Sequence, residues 1–117
     1  MRKELEERLV TFSALIYKLT KQVKKEYFGD YLNNQVLRSS ASAALNYGEA
    51  QSAETKRDFI HKTGVVLKEL RETHINLKII QKTGIIMDLN ILEEALEECN
   101  QLVSIFHRTV QTAKKRI

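Results

Sequence analysis

Side chains that could perform acid–base or metal chemistry are few in this sequence and poorly spaced for it. A di-metal site in a helical bundle needs glutamates from two helices and a Glu-x-x-His pair from each of the other two. The nearest match is Asp58-x-x-His61, which occurs once, at a position where Asp also suits a helix start. His74 is expected to be a packing residue, and His107 has no carboxylate at ligand spacing. The sequence therefore predicts no metal site and no cofactor.

Nucleophilic catalysis is equally unsupported. Cys99 falls among the apolar residues of a predicted helix, where burial would raise its pKa and leave the thiol unreactive. The four glycines are isolated rather than grouped in a phosphate-binding loop, and no Ser-His-Asp order has supporting context. We therefore predict no catalytic residues, no small-molecule substrate and a protein that is not an enzyme. A metal-dependent enzyme is kept only as a formal alternative.

Five hydrogen-bonding residues share one face of the second predicted helix, and we call them the polar stripe. They follow one another at spacings of 3, 4, 4 and 3 residues, which places them on one side of a helix. The polar stripe consists of Gln35, Arg38, Ser42, Asn46 and Glu49. We expect it to form an assembly network with Glu69, Glu72 or another subunit, because buried polar groups need partners. A groove that faces a ligand is the alternative.

Basic residues follow one face of the third predicted helix, and we call them the basic stripe. It consists of Arg57, Lys68, Arg71, Lys78 and Lys82, which lie within about 80° of one another on a helical wheel. Such a row could follow a nucleic-acid backbone through salt-sensitive phosphate contacts, although it has no interleaved aromatic residues for base stacking. One alternative is a solvated face. The other is pairing with an acidic cluster on a neighbouring helix, formed by Glu93, Glu94, Glu97 and Glu98.

Four helices are predicted to position these side chains. Apolar residues recur every three or four positions in four segments, which is the spacing of helices with one buried side. The segments cover about residues 3–25, 31–50, 56–82 and 89–115. Their connections are about four to seven residues long, so an antiparallel up-and-down bundle is the simplest all-α fold. We expect one domain over residues 1–117.

Helix boundaries have recognisable signals at three of the connections. Gly29-Asp30 offers a turn before the second helix, and Thr55 opens a segment with capping-box spacing in which Asp58 replaces the usual Glu or Gln. Gly84 suits the end of the third helix, and Asp88 or Asn90 can cap the fourth.

Several apolar residues lie away from the predicted core. They are Val10, Ala14 and Tyr17, opposite the apolar side of the first helix, and Ile75 and Ile79 on the third. We expect these residues to contact other subunits of a homo-oligomer. Single apolar residues on the surface of a monomer are the alternative.

Composition agrees with an all-α protein of modest size. The chain has 117 residues, of which 43% are hydrophobic and 29% are charged. It contains no proline, which is typical of a chain that consists mostly of long helices. Its single cysteine excludes an internal disulfide framework, and no apolar run approaches the roughly 18 residues of a membrane span. We expect a cytoplasmic protein with no membrane partner. The net charge of +4 equals the excess carried by residues 55–87 alone, which contain seven basic and three acidic residues.

The middle of the chain resembles the 23S rRNA intervening-sequence protein family. The run from Gln35 to Ala50, QVLRSSASAALNYGEA, is similar to a family signature of Gln-Leu-Arg-Arg, small residues, Ser and then Asn-Ile-Ala-Glu-Gly. All five residues of the polar stripe fit this signature. The segments 16–20, 56–60 and 68–73 resemble the family's Leu-Tyr-Lys-Leu-Thr, Lys-Asp-Phe-Ile and Lys-Glu-x-x-Glu-Thr patterns. Ala44 stands where the family often has Pro, which favours a straight second helix.

The resemblance implies a left-handed bacterial four-helix bundle that assembles as a homopentamer, a ring with a central channel, with no established activity. A similar pentameric bundle is the accessory protein of diversity-generating retroelements, which partners a reverse transcriptase and nucleic acid. We therefore expect a non-enzymatic homo-oligomer that binds RNA or DNA, or a nucleic-acid-processing protein, through basic surface. The alternative is a structural or adaptor protein with no nucleic-acid role.

Overall fold

The computed structural model describes residues 2–116, which form four long helices. The helices are α1 (Arg2–Thr20), α2 (Tyr27–Gln51), α3 (Lys56–Thr83) and α4 (Leu89–Lys115). The predicted all-α four-helix bundle is confirmed, since residues 2–116 contain no β-strand beyond one isolated bridge. Met1 and Ile117, the ends of the predicted domain, lie outside the described residues.

Consecutive helices run in opposite directions. Gln51 Nε2 at the end of α2 donates to Glu6 Oε1 near the start of α1, over 2.8 Å. Lys56 Nζ at the start of α3 donates to the carbonyl oxygen of Arg116, just after the end of α4, over 3.3 Å. Each helix packs closely against two neighbours, whereas the backbones of the diagonal pairs, α1 with α3 and α2 with α4, lie farther apart within residues 2–116. Across the core, side chains of a diagonal pair can still touch, as those of α2 and α4 do. The result is an elongated bundle with extents of 46 × 21 × 20 Å.

The core runs the length of the bundle along the inner side of every helix. Its largest fully buried side chains include Phe12, Leu32, Leu70 and Phe106. Phe106 also meets Tyr47 edge to face, with ring centroids 5.1 Å apart, a favoured geometry for aromatic pairs. Because each helix is apolar on its inner side only, none in the described chain is long and apolar enough to cross a membrane.

The connection between α1 and α2 differs from the prediction. α1 ends at Thr20 rather than near residue 25, and α2 begins at Tyr27 rather than near residue 31. Between them, Val23 forms an antiparallel bridge with Ile86 of the α3–α4 connection, and the Lys24 N–H donates to the Ile85 carbonyl over 2.7 Å. The helix ends early because the backbone of this segment bonds to the opposite connection instead of continuing helical bonds.

The other helix boundaries follow the sequence signals. Thr55 caps α3, its side-chain oxygen accepting from the Asp58 N–H over 3.0 Å. Asp88, rather than Asn90, caps α4 by accepting from two backbone N–H groups. Gly84 ends α3 with φ of 68°, a left-handed conformation that glycine adopts without the steric cost of a Cβ.

Candidate functional site

Arg38 of the polar stripe connects α2 to two carboxylates of α3. Its Nη1 lies 3.0 Å from Glu69 Oε2, and its Nη2 lies 3.1 Å from Glu72 Oε1. The hydrogen bond to Glu72 and the charge of Glu69 raise the pKa of Arg38. Glu69 is only 4% exposed, so its charge requires a nearby cation. Arg38 is half-exposed on its side chain and meets this need from the surface.

The rest of the polar stripe divides into separate contacts. Glu49 Oε1 lies 2.6 Å from Lys62 Nζ of α3. Asn46 Nδ2 donates to the carbonyl and side-chain oxygens of Ser42, at 2.9 and 3.1 Å, within α2 itself. Gln35 is half-buried and forms no side-chain hydrogen bond with residues 2–116. The stripe thus contacts α3 at two points, and its role in subunit assembly stays a prediction.

A buried hydroxyl pair lies beside the polar stripe and was not foreseen from the sequence. Ser39 Oγ and Thr73 Oγ1 are 2.5 Å apart and fully buried between α2 and α3. Thr73 also donates to the Glu69 carbonyl over 2.9 Å. Since a hydroxyl has a single proton, Ser39 must donate to Thr73. The signal for this pair was the run of small residues in α2, which allows α3 to approach closely enough for two short side chains to meet.

The basic stripe lies along the outer surface of α3. All five of its residues are exposed, and none of the ion pairs within residues 2–116 includes one of them. Arg71 Nη2 lies 3.4 Å from His107 Nδ1 of α4, and burial together with Lys78 lowers the pKa of His74 beside the stripe. From Arg57 to Lys82 the stripe extends roughly 37 Å, at 1.5 Å per helical residue. It presents a row of cations that form no ion pair within residues 2–116, and Lys78 shares a groove between α3 and α4 with Glu93 and Glu97.

One residue of the acidic cluster, Glu98, pairs with α1 rather than with the basic stripe. Arg8 donates two hydrogen bonds to Glu98, from Nη2 to Oε1 over 2.7 Å and from Nε to Oε2 over 3.1 Å. Its Nη2 also donates to Gln101 Oε1 over 3.2 Å. Bidentate arginine–carboxylate geometry of this kind is among the stronger charged contacts in proteins. The expected alternative, in which the cluster neutralises the basic stripe, has no ion pair to support it within the described chain.

Four of the five residues predicted to contact other subunits are exposed. Val10, Ala14 and Tyr17 face solvent on α1, and Ile75 is 59% exposed on α3. Ile79 differs because it is half-buried and packs against the core. Ile75 falls within the arc of the basic stripe on the helical wheel. The outer face of α3 therefore combines positive charge with one large apolar side chain.

Cys99 and the histidines do not form a metal-binding group within residues 2–116. Burial, with the charge of Glu98 as a smaller cause, raises the pKa of Cys99 to about 12, and its Sγ donates to the Leu70 carbonyl over 3.3 Å. His61 is exposed beside a capping segment. No group of three His, Cys, Asp or Glu residues in the described chain is placed to hold a metal ion.

Comparisons with known proteins agree with the sequence and the fold. A family model described as 23S rRNA-intervening sequence protein matches residues 4–108. A crystal structure of a protein with unknown function from the S23 ribosomal protein family of Bacteroides thetaiotaomicron VPI-5482 is similar, with a TM-score of 0.80 and 26% sequence identity. The match covers 91% of this chain and 97% of that one. No curated protein matches the chain.

Proposed function

Because this chain belongs to the 23S rRNA-intervening sequence protein family, we propose that it is a non-enzymatic helical protein that binds RNA or DNA, or a protein that processes them, through the basic stripe. The observation that carries the proposal is the exposure of all five stripe cations with no carboxylate partner within residues 2–116. We place the protein in the cytoplasm, where a lone thiol such as Cys99 stays reduced.

The mechanism is electrostatic docking of phosphates along α3. Each lysine or arginine that neutralises a phosphate releases condensed counterions, so affinity falls steeply as salt rises. The stripe's length of roughly 37 Å, from the helical rise, matches about eleven base pairs of duplex at 3.4 Å per pair. Assembly as a homopentamer, which the family resemblance implies, would present five stripes and multiply weak contacts into useful avidity.

Two variants with the same net charge test the stripe. The stripe variant replaces four cations of the stripe by Gln: Lys68, Arg71, Lys78 and Lys82. The control variant replaces four cations elsewhere by Gln: Lys3, Lys18, Lys114 and Lys115. Each variant lowers the net charge of the chain from +4 to 0. The control residues are exposed and lie outside the stripe. Binding of labelled RNA and DNA is measured by fluorescence anisotropy between low and physiological salt.

We expect the wild-type protein and the control variant to bind with a clear salt dependence. The stripe variant should lose at least tenfold in affinity, and its log–log salt slope should fall by roughly 0.7–0.9 for each phosphate contact removed. Equal losses in both variants would attribute binding to net charge alone. No binding by the wild-type protein at low salt would reject a direct nucleic-acid role.

A structural or adaptor role is the second candidate, favoured by the exposed apolar side chains. Val10, Tyr17 and Ile75 are each about half-exposed or more, and such residues commonly lie in protein interfaces when they form a patch. Light scattering at micromolar concentration tests self-association, and a mass five times that of the chain is expected for the pentamer. Ile75→Ser and Tyr17→Ser should each lower that mass if these residues contact other subunits.

A further inference from the structure

The end of the bundle that holds the α1–α2 and α3–α4 connections exposes five large apolar side chains, which we call the aromatic end. They belong to Tyr27, Phe28 and Tyr31 at the start of α2 and to Met87 and Leu89 before and within the start of α4. Tyr27 is 90% exposed and Met87 is 87% exposed. Exposed apolar groups concentrated in one place indicate a binding surface more strongly than the same groups scattered singly.

The two connections that carry these residues are fixed to each other. The Val23–Ile86 bridge and the hydrogen bond from the Lys24 N–H to the Ile85 carbonyl join their backbones. Gly29 allows the first connection to lie against α2, because a Cβ there would be 2.5 Å from the Lys24 carbonyl oxygen. The aromatic end is therefore a preorganised surface, which lowers the entropy cost of binding.

Phe28 and Tyr31 form a stacked pair within this surface. Their ring centroids are 6.2 Å apart and their planes differ by 14°. Both rings are exposed, so a planar ligand can extend the stack. Tyr27 lies one residue before the pair and provides a third ring.

The segments at this end of the bundle also carry charged residues, with cations in excess. Lys21, Lys24, Lys25 and Lys82 are exposed at this end, together with Glu26 and Asp30. Lys21 Nζ is 4.9 Å from the ring centroid of Tyr17, and Asp88 is occupied as the cap of α4. The chemistry that fits rings with neighbouring ammonium groups is a planar base attached to a phosphate.

The basic stripe leads towards the aromatic end. Arg38 of α2 lies opposite Glu69 and Glu72 of α3 in the antiparallel pair. The start of α2 is therefore level with the last turns of α3, where Lys78 and Lys82 lie. A phosphate backbone that follows the stripe towards Lys82 therefore approaches the end of the bundle that carries the exposed rings.

We propose that the aromatic end stacks unpaired bases, so that the protein prefers single-stranded nucleic acid, or the single-stranded extension of a duplex, over duplex alone. This inference rests on the proposed function, because the basic stripe supplies the phosphate contacts while the aromatic end supplies the selectivity. Bases inside a duplex are stacked on their neighbours and cannot cover Phe28 and Tyr31 without unpairing. The parallel ring pair favours a planar base over a lipid chain.

The test compares three forms of the protein on two probes. The probes are a labelled dT oligonucleotide and a mixed-sequence duplex of the same length. The aromatic variant replaces Tyr27, Phe28 and Tyr31 by Leu, which keeps apolar side chains and removes the rings. The control variant is Leu45→Ala, which removes an exposed apolar side chain from α2 outside the aromatic end.

We expect the wild-type protein and the control to bind the dT probe more tightly than the duplex. The aromatic variant should lose roughly tenfold or more on the dT probe, since stacking of one base on an aromatic side chain is typically worth a factor of that order. Its duplex affinity should not change. Circular dichroism and the melting temperature establish that the variants are folded.

Photocrosslinking of the wild-type protein keeps the test valid if the aromatic variant fails to fold. A dT probe that carries 5-iodouracil should crosslink to the peptide containing residues 27–31, and crosslinks confined to other peptides would overturn the proposal. If the wild-type protein binds both probes equally and the aromatic variant changes neither affinity, the basic stripe stands and this inference fails. Binding to neither probe rejects the proposed function itself.

The same variants can also show whether the aromatic end binds a membrane or another copy of this chain instead of a base. Co-sedimentation with phosphatidylserine vesicles that is lost in the aromatic variant, without dT binding by the wild-type protein, would identify a membrane-docking surface and reject base stacking. A fall in oligomer mass in that variant, with unchanged dT affinity, would identify a contact between copies and reject it equally.

Discussion

Ser39 and Thr73 place their hydroxyl oxygens 2.5 Å apart in the buried contact between α2 and α3. The Thr73 hydroxyl donates a hydrogen bond to the Glu69 carbonyl, so the pair forms a short chain of hydrogen bonds from one helix to the backbone of the other. Both side chains are fully buried. A buried hydroxyl without a partner is costly, and each residue therefore depends on the other.

Thr73→Val should destabilise the bundle by about 1–3 kcal/mol, because it keeps the side-chain shape and leaves the Ser39 hydroxyl without its acceptor. The double variant Ser39→Ala with Thr73→Val should cost less than the sum of the two single changes. Urea unfolding of the four proteins gives the coupling free energy. Strict additivity would show that the two hydroxyls do not stabilise each other.

Arg38→Ala should lower the free energy of unfolding by about 1 kcal/mol, a modest value because Arg38 is half-exposed and solvent screens its contacts. The loss arises mainly from Glu69, which is left nearly buried without its cation. Glu72→Gln is the matched control, since it removes only the more exposed of the two contacts. Its effect should be smaller in the same unfolding measurement.

The oligomer mass of Arg38→Ala tests the predicted assembly role of the polar stripe. A change in mass measured by light scattering would support that role. If mass and melting temperature both match the wild-type values, neither assembly nor stability depends on Arg38.

Gly29→Ala should destabilise the protein by about 1–3 kcal/mol, the usual range for overpacking. The new Cβ would meet the backbone oxygen of Lys24 at 2.5 Å, and Lys24 cannot retreat freely because its N–H bonds to Ile85. Gly64→Ala is the control, as nothing lies within 4 Å of a Cβ there. In the interior of α3, that change should raise the melting temperature, because alanine favours helix. A neutral Gly29→Ala would contradict the close approach.

Cys99 should make stability depend on pH above about 9. Burial raises the pKa of its thiol from 9.0 to about 12, so the unfolded chain releases this proton at lower pH than the folded one. The contribution of Cys99 is fully present below pH 9 and is lost as pH rises towards 12. Urea unfolding from pH 8 to 11 gives the free energy of unfolding of the wild-type protein and of Cys99→Ala. The difference between the two values separates the contribution of Cys99 from the titration of tyrosine and lysine, which both proteins share.

The same burial predicts a slow reaction of Cys99 with a thiol reagent. Ellman's reagent should react with the native protein at a rate limited by unfolding, and at once in denaturant. Rapid reaction of the native protein at neutral pH would mean that the thiol is accessible.

Apolar spacing predicted the helices well and their ends less well, as Val23 illustrates. Val23 continues the apolar periodicity of α1 and is buried as expected, yet it lies outside the helix, paired with Ile86. A side chain can keep its place in the core after the backbone has left the helix. The spacing of apolar residues predicts which side chains are buried. The end of α1, in contrast, depends on the hydrogen bond from Lys24 to Ile85, about sixty residues away in the sequence.

Contacts between distant helices were only partly predictable. The pairing of Arg38 with Glu69 and Glu72 was among the expected partners because all three lie on facing sides of consecutive helices. The bidentate ion pair between Arg8 and Glu98 was not predicted from the sequence. It depends on how α4 is placed and shifted along α1, and periodicity within one helix contains no information on either.

The bridge between Val23 and Ile86 has a consequence for the order of folding. The α1–α2 and α3–α4 hairpins can each form from contacts that are local in sequence, which are fast to make. The Lys24–Ile85 hydrogen bond belongs to neither hairpin. It forms only when both are docked in the correct register, so protection of the Lys24 amide in pulse-labelling hydrogen exchange should report the docking step itself.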